Sequence, residues 1–309
     1  MVTVGAVCGI AGLYTKTPEL HPQLGGLLAA MLQQLSFRGP DSAGVAFYRQ
    51  PAPAGCCKVS VHSTQAHPGW EALGAELQDA FGGQCTHSVR ATHATFTIAT
   101  SAEAAQAWLA AAHPELTVMS AGSAIEIYKE AGPPQDFVAR FGLDEIDGTH
   151  ALGHTRMATE SRVSTAHSHP FSSGLDLCLV HNGSLSNHNR LRRMLTREGV
   201  RFASDNDSEV AAGYLTWRLR QGASLDEALE GCLSDLDGFY TFAVGTADGF
   251  AVLRDPIACK PAVMAETDTW VAIASEYRAI AQLPGAEDAA MWEPEPGLVY
   301  SWGTAAVAA

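Results

Sequence analysis

Residues 239–255 hold two apolar runs separated by Thr246-Ala247-Asp248-Gly249, a spacing that predicts an antiparallel β-hairpin. A hairpin is not stable alone, so this one demands further strands beside it and a layer over its apolar face. The short apolar runs at 8–14, 45–48, 175–183, 269–275 and 298–302 supply those strands. Helical spacing comes in blocks: Leu24, Leu27, Leu28, Met31 and Leu35 mark 18–37, and helical stretches follow at 187–199, 207–222, 224–236 and 276–283. Antiparallel strands with helices in blocks predict an α+β layered sandwich. Within 84–150 a strand-like run (93–100), a helical run (102–112) and a second strand-like run (123–129) predict a small inserted α/β unit. The Pro/Gly/Cys stretch at 51–57 reads as a loop.

A chain of 309 residues, 47% of them hydrophobic, can bury a sizeable core as one domain carrying an insertion. Its net charge of −14, with 19 Lys+Arg and no basic stripe, argues against nucleic acid or an anionic membrane as a partner. No apolar run approaches the roughly 20 residues that span a bilayer. Met1 to Val7 lack the basic start and apolar stretch of a secretory signal, so a cytoplasmic location is expected. The seven cysteines are an odd number without framework spacing, which fits reduced thiols, and no C-x-x-C pair suggests structural zinc. His150, His154, His167 and His169 lie close in sequence, and His167-Ser168-His169 could chelate. No Cys or acidic partner has ligand spacing, however, and Arg156 would repel a cation, so no metal is expected.

Five short segments carry residue types that are costly unless used. They are Cys8-Gly9-Ile10, residues 38–44 (RGPDSAG), residues 153–159 (GHTRMAT), His181-Asn182-Gly183-Ser184, and residues 205–209 (DNDSE). Singly, each has an ordinary reading. A cysteine at the start of a strand is usually a small buried hydrophobe, and Asn-Gly after an apolar run is most often a hairpin turn. Arg156 alone would be a surface ion pair, and Asp207 a helix N-cap, a role it can combine with another. These readings do not explain the joint order. In that order the segments resemble the class II glutamine amidotransferases, which are N-terminal-nucleophile hydrolases. The resemblance covers most of 8–309, with 84–150 the least typical part, and implies a four-layer αββα sandwich. Arg254-Asp255-Pro256 with Lys260-Pro261 looks like a late signature of the same class and reads as a structural turn between core strands.

The resemblance implies a glutaminase. Opening an amide needs a nucleophile, a base, an anion stabiliser and a clamp for the amino-acid end. Cys8 is the implied nucleophile, and its own α-amine, titrating at roughly 7.7–8.0, the implied base. A nitrogen acylated by Met1–Val7 could not take that proton. Either the leader is cleaved at Val7–Cys8, or Val7 is the true start, read as Met and removed; the lack of a processing signal favours the second. Asn182 and Gly183 are the implied oxyanion donors. Arg156 suits the glutamine carboxylate through its planar fork, with Thr159 adding a hydroxyl, and Asp207 suits the ammonium. Arg38 is expected to support the glutamine pocket or the loop that closes over it. Met157 and Glu160 depart from the Trp and His of the aminosugar synthase branch.

Because the chain stops at residue 309, soon after the last core-like strand, a synthase domain is expected on another polypeptide. The run 153–220 resembles the stand-alone amidotransferase component of glutamate-synthase-like complexes, of the kind found in N-methylglutamate synthase. That resemblance implies glutamine as substrate and no cofactor in this chain. It also implies a flavoprotein partner with FMN and iron–sulfur clusters, and a β-helical partner. Two other readings stay open: a glutamine-sensing or structural subunit without hydrolysis, and a hydrolase of the same fold acting on another amide. The Arg156/Asp207 clamp favours a free amino acid.

Overall fold

The computed structural model describes residues 8–65, 69–157 and 163–303. One sheet has seven strands in the order Ala290–Trp292, Val263–Glu266, Trp270–Ala274, Gly9–Thr15, His150–Arg156, Ser42–Tyr48 and Ile125–Ala131. A second has five, in the order Val299–Gly303, Gly249–Arg254, Gly238–Thr246, Leu177–Leu185 and Phe171–Gly174. Neighbours in both pair antiparallel. The period-2 alternation of a strand sorts its side chains between two cores. In Ser42–Tyr48, Ala43, Val45 and Phe47 face helices, while Ala46 and Tyr48 face the other sheet. Both faces are buried, so these strands read as continuous apolar runs.

Leu24–Gln34 and Pro134–Phe141 cover the seven-stranded sheet through Leu28, Met31, Leu32, Phe137 and Phe141. His188–Arg197, Asp207–Arg220 and Leu225–Asp235 cover the five-stranded sheet through Leu191, Leu195, Val210, Tyr214 and Leu229. Between the sheets lie Ile10, Ile127, Leu152, Val180, Phe250 and Ile273. The layers therefore run α–β–β–α, as the family resemblance implies. Leu225–Asp235 starts where it does because Ser224 and Glu227 form a reciprocal capping box.

The α/β unit differs in extent from the expectation at 84–150. A four-stranded sheet of Thr86–Arg90, His93–Ile98, Cys57–His62 and Thr117–Gly122 packs on helices Trp70–Phe81 and Ala102–Ala112. Ile125–Ala131 and His150–Arg156 belong instead to the seven-stranded sheet. Cys57–His62 escapes a sequence reading because its inward Lys58 looks like a surface residue; its ammonium is neutralised by buried Glu126 at 2.8 Å. The helix expected over 276–283 is the single turn Tyr277–Ile280. All seven cysteines are free thiols. Among the described residues no helix is long and apolar enough to cross a membrane.

Candidate active site

Cys8 immediately precedes the central strand Gly9–Thr15, and its main chain is held by one residue of the five-stranded sheet and one of the loop before Ser42–Tyr48. The Cys8 carbonyl accepts from Asn182 Nδ2 at 3.1 Å and from Arg38 Nε at 3.2 Å. Gly9 must be small: a Cβ there would stand 2.7 Å from Thr155 Oγ1 and 3.0 Å from Leu35 Cβ. The thiol lies 3.7 Å from the Met157 carbonyl and opens into a cleft of about 530 Å³. Arg156, Gly183, Asp207 and Lys260 share that cleft. Burial pushes the Cys8 thiol pKa up, and the charges of Arg156 and Lys260 oppose the rise.

Arg156 ends the strand His150–Arg156, is buried, and lies in the field of Cys8, Asp41 and Asp207. Burial lowers its pKa without threatening its charge, since a guanidinium stays protonated in proteins. Asn182-Gly183 is no hairpin turn; it lies inside the strand Leu177–Leu185, with Asn182 opposite Thr241. A Cβ on Gly183 would come within 2.0 Å of the Phe239 carbonyl, so only glycine lets the two strands approach here. Asp207 is the first residue of its helix, and the N-cap is Asn206, whose side chain accepts from Ser208 N–H at 2.8 Å. That corrects the reading of Asp207 as the cap. Its Oδ2 accepts from Leu185 N–H at 2.8 Å and its Oδ1 from the Ser208 hydroxyl at 3.3 Å.

Arg38 departs from its expected place in the glutamine pocket. Its guanidinium holds the Cys8 carbonyl and pairs with Glu276, and its side chain is not part of the cleft wall. Arg38 thus positions the nucleophile's main chain. Thr159 and Glu160 lie outside the described residues.

Lys260, read from the sequence as part of a structural turn, lines the cleft. Arg254 donates to the carbonyls of Ala258 at 2.7 Å, Lys260 at 2.9 Å and Pro294 at 3.1 Å, and Asp255 accepts from Tyr240 N–H and Ile257 N–H. Those two residues are structural, yet the loop they brace delivers Lys260 into the cleft, its Nζ 5.1 Å from the Phe239 ring centroid. The available signal was the lysine closing a loop that opens on an adjacent Arg-Asp pair.

The four histidines considered as chelators fall in three places, with only His154 and His169 side by side. His150 stacks on Tyr48 at 4.2 Å, and His167 bonds Asp205 at 2.9 Å. His154 and His169 are buried between the layers and kept neutral by burial, His154 with its pKa lowered to about 3. Among the described residues no group of three or more His, Cys, Asp or Glu could hold a metal ion.

Residues 154–282 match the family described as the glutamine amidotransferase domain. Over 297 residues the chain is 54% identical to the glutamine amidotransferase-like protein GlxB of Rhizobium meliloti, covering 96% of this chain and 98% of that protein. The chain belongs to the glutamine amidotransferase family. A glutamine–fructose-6-phosphate aminotransferase of Vibrio vulnificus is 35% identical over 125 residues, which make up 40% of this chain and 20% of that protein. Among solved structures, the glutamine phosphoribosylpyrophosphate amidotransferase of B. subtilis matches with a TM-score of 0.62 at 20% identity, over 96% of this chain and 48% of that one. This likeness identifies the four layers as the N-terminal-nucleophile hydrolase fold. The chain is an enzyme of the class II amidotransferases, a family whose substrate is glutamine.

Proposed function

We propose that this amidotransferase hydrolyses the side-chain amide of glutamine through a Cys8 thioester and releases the nitrogen as ammonia for a separate synthase subunit. The observation that carries the reading is the convergence of Cys8, Arg156, Gly183 and Asp207, from four distant segments, in one cleft. A thiol, a cation, an anion and a close-packed backbone N–H are what a free amino acid carrying an amide requires.

Arg156 binds the α-carboxylate, with the Thr159 hydroxyl as a second donor, and Asp207 binds the α-ammonium. The α-amine of Cys8, freed from Val7, takes the thiol proton. Sulfur attacks the amide carbon, and the proton passes to the departing nitrogen, so a C–S bond replaces the C–N bond. The oxyanion is met by Gly183 N–H and by the second N–H of Asn182, whose first is already directed to the Cys8 carbonyl. Losing one such donor costs on the order of 10²–10³ in rate. Water then opens the thioester to glutamate.

The chain matches the R. meliloti relative over 98% of that protein and the V. vulnificus aminotransferase over 20% of it, and we place the acceptor site on another chain. We assign that role to a glutamate-synthase-like or N-methylglutamate synthase complex, with FMN and iron–sulfur clusters on the flavoprotein subunit, a β-helical third subunit and a cytoplasmic location. The test is ammonia and glutamate release from glutamine by the natively purified protein and by Cys8→Ala. Equimolar products from the former and none from the latter are expected; turnover by Cys8→Ala removes the nucleophile assignment. Co-purification of a flavoprotein identifies the acceptor.

A further inference from the structure

His169 is the most poorly satisfied polar side chain near the cleft. It is 5% exposed, it contributes to the cleft wall, and neither ring nitrogen has a hydrogen-bond partner among the described residues. Beside it, His154 is held by the His181 carbonyl at 3.1 Å, which accepts only, so His154 Nε2 carries the proton and Nδ1 is a bare lone pair. That Nδ1 also has no partner among the described residues. The rings of His154 and His169 are in contact, with centroids 4.1 Å apart, and His181 stands edge-on 6.5 Å from His169, so the space open to His169 is the cleft it shares with Cys8. The His169 main chain is locked: a Cβ on Gly44 would fall 2.0 Å from its carbonyl. Buried imidazole nitrogens in native proteins find partners, so this cluster calls for a small hydrogen-bonding ligand.

The surrounding charges select its class. Lys129 Nζ, buried, donates to the carbonyls of Ser168 at 2.9 Å and Pro170 at 3.1 Å, on either side of His169. Arg156 adds a second positive field at His169, and Lys260 another at His181. The acids facing the cluster are engaged. Asp207, 4.0 Å from His181 Nδ1, accepts from Leu185 N–H, and Glu209 accepts from Ala203 N–H, Ser204 N–H and the Ser204 hydroxyl. A cation such as ammonium is disfavoured there, whereas a neutral molecule is not. A neutral imidazole offers one N–H and one lone pair, which complement the lone pair and N–H groups of ammonia.

We propose that His169, with His154 and His181, forms a binding site for one neutral ammonia molecule beside the Cys8 thioester. The inference rests on the glutaminase reading and adds to it a place where the product nitrogen waits before leaving. Such a site makes the first chemical step visibly reversible. Bound ammonia attacks the glutamyl carbonyl, the C–N bond forms as the C–S bond breaks, and one N–H proton returns to sulfur through the Cys8 α-amine.

The experiment is turnover of glutamine in [15N]ammonia by the natively purified protein, reading label in the amide of residual glutamine against glutamate formed. The exchange rate is expected to saturate with ammonia, and raising the pH should lower the total ammonia needed because NH3 is the form bound. In His169→Leu the ratio of exchange to hydrolysis at low ammonia should drop about tenfold, with partial recovery in His169→Gln. The ratio is internal, so a general loss of activity in a variant does not mimic the effect. Exchange that rises linearly without saturating in the wild-type protein overturns the site, even if His169→Leu does not fold. So does an unchanged ratio in His169→Leu. Absence of hydrolysis in the wild-type protein takes down the glutaminase reading and this inference with it.

Discussion

Replacing Asp207 with Asn isolates the charge assigned to the α-ammonium of glutamine. The substitution keeps the side-chain shape and leaves an amide oxygen for Leu185 N–H, now 2.8 Å from Oδ2. The helix Asp207–Arg220 loses a favourable first-turn charge, a stability loss of about 0.3–1 kcal/mol, and Asn206 still caps it. What disappears is an ionic contact at a side chain only 22% exposed. A hydrogen bond to a charged group contributes about 1.5–3 kcal/mol, so kcat/KM for glutamine should fall about 10–100-fold. The assay compares glutamine with glutaramic acid, the same amide without its α-amine. The wild-type enzyme should prefer glutamine by that factor, and Asp207→Asn should bring the two close to parity. An Asp207→Asn enzyme that keeps the wild-type preference would show that the ammonium is recognised elsewhere.

Arg38→Met leaves the Cys8 carbonyl to Asn182 alone, so kcat should fall about tenfold with KM for glutamine little changed. Steady-state kinetics showing the reverse pattern would return Arg38 to the glutamine pocket. Burial raises the Cys8 thiol pKa and Lys260 opposes the rise, so Lys260→Met should move the pH profile of Cys8 alkylation by iodoacetamide to higher pH. An unmoved profile would mean that Lys260 does not act on the sulfur. His154 is kept neutral in the folded protein down to about 3, against 6.5 when solvated, so between those values only the unfolded chain binds its proton. Its contribution to stability is complete above pH 6.5 and is lost as pH falls toward 3, at up to about 1.4 kcal/mol per pH unit. Urea midpoints across that range should slope less in His154→Phe, and an identical slope would contradict the assignment.

The layers were legible because their strands are buried on both faces and their helices carry one apolar stripe. Leu24, Leu28, Met31 and Leu35 mark a helix by spacing alone, and all four are fully buried against the seven-stranded sheet. The strand Cys57–His62 was not legible, because Lys58 is inward only by virtue of Glu126, 68 positions away. The site divides in the same way. Cys8, Arg156, Asn182, Gly183 and Asp207 stand in short local motifs and meet at one end of the sandwich. Arg38, expected to support the glutamine pocket or the loop that closes over it, instead touches the Cys8 carbonyl, since a motif gives a residue type but not the atom it will touch. Lys260 and His169 enter the cleft from loops whose path depends on long-range contacts, with Arg254 bracing the one and Gly44 admitting the other.

The central claim is that the Cys8 sulfur is activated by its own α-amine. The most direct test is the intact mass of catalytically active protein after trapping with a glutamine analogue that alkylates the nucleophile, followed by mapping of the adduct. The account predicts one adduct, on the sulfur of Cys8, in a chain whose first residue is Cys8 and whose α-amine is unmodified. An adduct formed at full activity in chains that still carry Met1 to Val7, or an adduct on another residue, contradicts it.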